Sequence, residues 1–312
     1  MLDALSKNIF YVLARSSGLK SLASRYGMRS ADSFARRFIA GESIEEAIEA
    51  ARVVEASGLE ATLDFLGESV ASSAEANAAT VAYLEVMRKI TDAGVGRNVS
   101  LKLTQLGLDI DRATCVDNLR RILDEAATHN FFVRIDMENS PYTERTLEIF
   151  ETLWNIGYRN AGVVIQSYLK RSEADIHRVN KLGARIRLVK GAYKEPADAA
   201  YQLKSEVDEK YIHLMKILLK DGTYPAIATH DEKMIAATNE FAAANGISKD
   251  KYEFQMLYGI RRDLQASLAK AGHPFRVYVP FGREWFPYFM RRLGERPANI
   301  AFVLRGITSE KK

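Results

Sequence analysis

The sequence predicts an α/β chain that closes into a (β/α)8 barrel, and three observations carry that prediction. Eight short apolar runs rich in branched residues recur along the chain. Longer stretches with helix start and stop signals lie between them. No glycine-serine linker or low-complexity stretch divides the 312 residues. Buried parallel strands read as near-continuous apolar runs, and their alternation with helices predicts right-handed crossovers in a parallel sheet. Eight units of roughly 23–40 residues predict closure, and such barrels commonly use about 250 residues as one domain.

The elements follow in order. Segment 1–41 carries Lys7, Arg15, Lys20, Arg25, Arg29, Arg36 and Arg37 against only Asp3 and Asp32. That bias resembles a transit peptide. Amphipathic surface helices, with Leu2, Leu5, Ile9, Leu13, Phe34 and Phe38 on apolar faces, are the favoured reading, because the segment runs without a linker into the next helix. Residues 1–58 are therefore expected to form a helical segment packed on a catalytic barrel at 59–312, as one domain. The expected strands are 61–66, 99–103, 132–137, 162–166, 185–189, 226–229, 253–256 and 276–279. Ser72-Ser73-Ala74-Glu75 reads as a capping box before a helix ending near Gly94. Ser140-Pro141 places a cap residue before a proline at the first helical position, with Gly157 beyond the helix. Ser172 to Asp175 opens a helix closed by Gly183. The next is expected from Pro196 through Tyr211 and Leu218 to Gly222, another from about Glu232 to Gly246, and another ends at Gly272.

Composition is that of an ordinary globular chain, 47% hydrophobic and 27% charged. A net charge of +4, from 44 basic and 40 acidic residues, is too small and dispersed to argue for nucleic acid. Cys115 stands alone, which excludes an intrachain disulfide and favours a reducing, cytoplasmic setting. No run approaches the ~18 apolar residues of a membrane-spanning helix. His129, His177, His213, His230 and His273 are scattered, so no metal site is expected. Gly94-Val95-Gly96 follows a helix, not a strand, and is no dinucleotide fingerprint.

In such barrels chemistry sits at the carboxyl ends of the strands, and polar residues cluster there. Lys102 and Thr104 follow the second strand; Asp136, Glu138 and Asn139 end the third. The fourth delivers Gln166, the fifth Arg187, Lys190 and Tyr193, the sixth Thr229-His230-Asp231, the seventh Gln255 and the eighth Tyr278. Each alone has a structural explanation: Asp136 paired to Arg134, His230 as a satisfied core histidine, Lys102 as a solvated charge. The same placement on seven strands favours an enzyme. After the eighth strand comes Glu284-Trp285-Phe286-Pro287-Tyr288-Phe289-Met290-Arg291-Arg292-Leu293-Gly294-Glu295. Adjacent arginines serve different helix faces, yet they are long enough to converge on one anion. Guanidinium holds a carboxylate in a two-pronged geometry that lysine cannot copy. Glu295 is spaced to hold an arginine in place. A surface salt-bridge cluster accounts for the same residues equally well.

These blocks together resemble the monofunctional bacterial proline dehydrogenase family over nearly the whole chain, from Phe34-Ala35-Arg36-Arg37-Phe38-Ile39-Ala40-Gly41 to Asn299. The most specific are Arg187-Leu188-Val189-Lys190-Gly191-Ala192-Tyr193 and Arg291-Arg292-Leu293-Gly294-Glu295. Val99-Ser100-Leu101-Lys102-Leu103-Thr104, Arg134-Ile135-Asp136-Met137-Glu138, Val164-Ile165-Gln166-Ser167-Tyr168-Leu169, Thr229-His230-Asp231 and Phe254-Gln255-Met256-Leu257-Tyr258-Gly259 agree with them in order. The resemblance implies a distorted (β/α)8 TIM barrel with non-covalent FAD across its mouth and a final helix over the flavin. It implies that Arg291, Arg292 and Lys102 bind the carboxylate of L-proline and that Glu295 orients an arginine. Tyr278 and Leu257 would shape the pocket around the ring, with Asp136 and Tyr193 completing it, and Arg187 would lie near the flavin's hydride-accepting nitrogen. Met137, Gln166, Lys190, Gly191, Ala192, Thr229, His230 and Gln255 would contact FAD. The implied product is Δ1-pyrroline-5-carboxylate, the implied acceptor a quinone, and contact of the basic N-terminus with a membrane surface stays open. Competing readings are hydroxyproline oxidation, a barrel aldolase with Lys190 as Schiff-base lysine, and a barrel retained as a binding module.

Overall fold

The computed structural model describes Met28 and residues 33–295 of the chain. The expectations placed on 1–27 and 29–32 lie outside the described residues. Of the expected helical segment at 1–58, the structure describes a 3-10 turn at Phe34–Arg37 and helix α1, Ile44–Ala56. Ser43 caps α1 with a complete capping box: its side chain accepts from Glu46 N, and the Glu46 carboxylate accepts from Ser43 N.

Eight strands follow: β1 (Glu60–Phe65), β2 (Asn98–Leu101), β3 (Phe132–Ile135), β4 (Ala161–Gln166), β5 (Arg185–Val189), β6 (Ala226–Ala228), β7 (Glu253–Leu257) and β8 (Phe275–Phe281). Each pairs in parallel with the next, and β8 returns to β1, so the sheet is a closed barrel. The helices between them are α2 (Ser73–Ala93), α3 (Arg112–Thr128), α4 (Ser140–Asn155), α5 (Ser172–Asn180), α6 (Lys204–Asp221), α7 (Glu232–Ala244) and α8 (Arg262–Lys270); α9 (Trp285–Glu295) follows β8. The (β/α)8 barrel expected from the sequence is the fold observed.

Differences from the expected boundaries have local causes. β2 and β3 stop before Lys102 and Asp136: Lys102 is the cap of a 3-10 turn at Leu103–Leu106, and Asp136 N still donates to Leu101 O at 2.8 Å. β8 runs on through Pro280, whose missing N–H is tolerated near the strand end while its carbonyl accepts from Ala40 N at 2.9 Å. Ser140 is the first residue of α4, with Asn139 at the cap; its N–H is bonded instead by Glu195 Oε1 at 2.7 Å. The capping box at α2 is half formed: Glu75 N donates to Ser72 Oγ, but the Glu75 carboxylate reaches Ala71 N. Helix α6 begins at Lys204, well after Pro196, since 196–203 fold into a turn whose Tyr201 N donates to Tyr168 O at 2.8 Å.

Residues alternate across a strand, and here the two parities differ in kind. The outward set includes Leu63, Val99, Leu101, Ile135, Val163, Leu188, Phe254 and Val279, which join the helices in one buried apolar core. The inward set is polar, because Asp64, Lys102, Asp136, Arg187 and Tyr278 bond to one another across the axis. Lower in the barrel, Arg276 donates to Glu253, Glu60 and the Ala61 carbonyl. Helix α9 buries Trp285, Phe286, Phe289, Met290 and Leu293 in a second cluster with Met28, Phe38, Ile39, Leu66 and Tyr278. Leu66 directly follows β1, and Leu257, which packs against the same cluster, ends β7, so α9 packs at the barrel mouth.

Candidate active site

The mouth is built around one buried group of charges. Asp136, from the end of β3, accepts from Arg187 Nη1 at 2.9 Å and lies 3.6 Å from Lys102 Nζ. The Tyr278 hydroxyl of β8 is 2.9 Å from Asp136 Oδ2 and closer still to Asp64 Oδ2 of β1. Lys102 Nζ donates to the same Asp64 oxygen at 3.3 Å, and Arg187 Nη2 donates to Ser100 Oγ at 3.2 Å. The Arg187 guanidinium also sits 5.4 Å from the centre of the Tyr278 ring. Five strands thus contribute to one constellation, and two carboxylates face two cations.

Burial sets the electrostatics. It pushes the Asp64 carboxyl up, opposed by Lys102 and reinforced by the neighbouring Asp136. Burial works against the Lys102 charge, but Asp64 and Asp136 outweigh it and hold the ammonium well above the ordinary lysine range. Tyr278 is likewise raised, by burial and then by the two acids, so its hydroxyl keeps its proton. Glu138, two residues beyond Asp136, accepts from Thr104 N at 3.2 Å and Thr104 Oγ1 at 2.6 Å. Burial raises its carboxyl to about 7.

A second arc of polar residues runs in order through β4 to β7. Gln166 Nε2 donates to the Glu138 carbonyl at 2.8 Å. Lys190 is held by Asp208 at 2.5 Å and Asp231 at 2.8 Å. Thr229 is buried, His230 Nε2 accepts from Leu257 N at 3.0 Å, and Gln255 donates to Glu253. Met137 is buried, and Ala192 and Tyr193 are partly exposed beside Gly191. Gly191 has φ +115, and a Cβ there would meet the Tyr168 ring at 2.4 Å, so backbone shape and space both call for glycine. The Lys190 ammonium lies between carboxylates, not in the apolar pocket that a Schiff-base lysine needs, which removes the support for the aldolase reading.

Helix α9 closes the mouth from above. Arg291 forms an ion pair with Glu68, in the loop after β1, and its guanidinium lies 5.6 Å from the centre of the Tyr193 ring, in the loop after β5. One side chain therefore touches loops from opposite sides of the barrel. Arg292 is buried against the Tyr288 ring at 5.2 Å. Burial raises the Tyr193 hydroxyl, with Glu68 adding to the rise and Arg291 and Lys102 opposing it, which ties this layer electrostatically to the cluster below. Glu295 ends the helix, and its side chain is outside the described residues.

Sequence reasoning missed Asp64, Glu68 and Glu195. Asp64 sat unremarked within an apolar run, although its parity with Thr62 was readable. Glu68 and Glu195 are loop residues whose partners are distant in sequence, so no local signal marks them. Among the described residues, no group of His, Cys, Asp and Glu could hold a metal ion, and no helix is long and apolar enough to cross a membrane.

A parallel barrel with buried charges gathered at its strand ends beneath a capping helix defines a barrel enzyme. The proline dehydrogenase family model matches residues 47–305. The chain is 42% identical to proline dehydrogenase 2 of Bacillus subtilis, over 98% of this chain and 100% of that one. It is also 42% identical to the proline dehydrogenase of Deinococcus radiodurans, over 98% and 99%. The crystal structure of proline utilization A (PutA) from Bdellovibrio bacteriovorus, inactivated by N-propargylglycine, superposes with a TM-score of 0.80 at 28% identity, covering 98% of this chain and 38% of that one. The chain belongs to the proline dehydrogenase family, and it is an oxidoreductase of proline catabolism.

Proposed function

We propose that the chain oxidises L-proline to Δ1-pyrroline-5-carboxylate with bound FAD, passing the electrons to a quinone, as the first step of proline breakdown toward glutamate. The observation that supports this reading best is the convergence of Lys102, Asp136, Arg187 and Tyr278 from four strands at one end of the barrel, with Arg291 of α9 above them.

The residues present fit the cofactor. Buried Arg187 keeps its Nε without a hydrogen-bond partner, and the polar side chains of β4 to β7 form an unbroken arc beside it. Met137, Gln166, Arg187, Lys190, Gly191, Ala192, Thr229, His230 and Gln255 would hold the flavin, which supplies the hydride acceptor. Arg291, Arg292 and Lys102 would clamp the substrate carboxylate, with Glu295 orienting an arginine. Proline is small, so this clamp supplies most of its orientation, and orientation is what hydride transfer requires. Leu257, Tyr193 and Tyr278 wall the ring, while Asp136 holds Arg187 and Lys102 in place. The cationic Arg187 favours negative charge gained on reduction. The quinone and the product rest on family resemblance.

The test combines spectrum and kinetics. The purified protein should show flavin absorbance and oxidise proline with a quinone analogue. Arg291→Met or Arg292→Met should each raise the proline KM by the equivalent of about 2–5 kcal/mol while flavin content holds. Normal proline KM in either variant removes that arginine from the clamp, and a colourless, inactive protein ends the whole reading.

A further inference from the structure

Asp64 takes no part in the roles just given, yet it lies at their base. Its side chain is fully buried, on the inward face of β1 one layer above Thr62. An acid in this place is costly, since desolvating a carboxylate takes several kcal/mol that a valine or leucine on the same strand would not require. What surrounds it is specific. One oxygen, Oδ2, accepts from both Lys102 Nζ and the Tyr278 hydroxyl. The other, Oδ1, is buried without a partner.

We propose that Asp64 is a positioning residue of the reaction, a hidden carboxylate that fixes the Lys102 ammonium and the Tyr278 hydroxyl against each other from below. The proposal rests on the reading of Lys102 and Tyr278 as substrate-facing groups. It follows from counting protons. The Tyr278 hydroxyl lies within reach of Asp64 and of Asp136 but has a single proton, so it can donate to only one of them. The Lys102 ammonium has three protons and stands between the same two acids, at 3.3 and 3.6 Å. Asp136 has a further donor in Arg187, whereas among the described residues the Asp64 carboxylate accepts from Lys102 and Tyr278 alone. Without Asp64 the tyrosine and the lysine would both be left to Asp136, the partly exposed acid. Lysine has a long flexible stem, so an anchor on its far side removes freedom that the substrate would otherwise have to remove on binding.

The deciding variant is Asp64→Asn, which keeps shape and an acceptor but removes the charge. Proline KM should rise about tenfold or more, the scale expected when a clamp is misplaced. So should the inhibition constant of tetrahydrofuran-2-carboxylate, a ring acid that keeps the carboxylate but has no nitrogen to oxidise and is expected to compete with proline. Preference for proline over 4-hydroxyproline should shrink as well, because Tyr278 loses its tether. A merely structural role would lower the melting temperature and flavin content while leaving these ratios alone. The same change made in a Lys102→Met/Tyr278→Phe background should cost less than about threefold, since both anchored groups are gone. If Asp64→Asn does not fold, Asp64→Ser, smaller and also uncharged, takes its place in the same comparison. Equal losses in both backgrounds, or a folded Asp64→Asn with proline KM and selectivity like the parent's, overturn the role of Asp64. Should Lys102→Met itself leave proline KM unchanged, the underlying reading of Lys102 fails instead.

Discussion

Tyr278 illustrates how a single side chain is fixed by its tip. Its hydroxyl meets two carboxylates, its ring stacks near the Arg187 guanidinium, and only 9% of the residue is exposed. A ring held this way presents a rigid edge, against which the unsubstituted side of proline packs in the proposed complex. A 4-hydroxyl would enter that contact and lose water without a good replacement, at a cost on the order of 1–3 kcal/mol. We expect the parent enzyme to favour proline over hydroxyproline by roughly ten- to hundred-fold in kcat/KM. Tyr278→Ser should narrow the gap, chiefly by weakening proline. Equal efficiency on both substrates in the parent would remove Tyr278 as the selectivity residue.

Among the elements, the loop between β5 and α6 depends most on contacts made outside itself. It carries Gly191, Ala192 and Tyr193, and its anchor is Glu195. That carboxylate accepts from Ser140 N at 2.7 Å at the start of α4, from Ser140 Oγ, and from the Tyr168 hydroxyl at 3.3 Å after β4. Three successive strand ends are thereby tied together, and the α4 N-terminus receives a negative charge where its dipole favours one. Glu195→Ala removes the acceptor of the part-buried Ser140 amide and of the buried Tyr168 hydroxyl and should cost about 1–3 kcal/mol. Hydrogen exchange should show faster opening at 190–203 and at the first turn of α4, with the barrel strands little changed. If protection falls evenly over the molecule, the buckle is not local.

For the whole molecule, burying carboxylates links stability to pH. Glu138 is the clearest case, raised by burial from 4.5 to about 7. Between these values the folded state keeps a proton that the unfolded chain has lost, so stability falls as pH rises through this window. The contribution is full below about 4.5 and gone above about 7. At ~1.4 kcal/mol per pH unit it amounts to roughly 3 kcal/mol. Urea unfolding of the parent and of Glu138→Gln, from pH 5 to 8, should therefore diverge, with the variant gaining relative stability at higher pH. Parallel curves would show that Glu138 titrates normally. Cys115 makes no comparable demand, because burial pushes its thiol up to about 12 and keeps it neutral throughout.

Much of this architecture was legible in the chain itself. Branched apolar runs and glycine or serine punctuation at element ends determine eight strands and their order, because these signals act over a few residues and do not depend on distant partners. Strand-end chemistry was legible for the same reason at Lys102, Asp136, Gln166 and His230, which stand at or just beyond the end of an apolar run, whereas Arg187 and Tyr278 sit in the middle of β5 and β8. What the tertiary structure decided is which of them meet. Closure of β8 onto β1 brings Tyr278 beside Asp64, 214 residues away in sequence, and the placement of α9 across the mouth brings Arg291 to Glu68, 223 residues away. No local pattern encodes such pairs, since burial and charge neutralisation choose them only once the barrel has closed and excluded water from its axis.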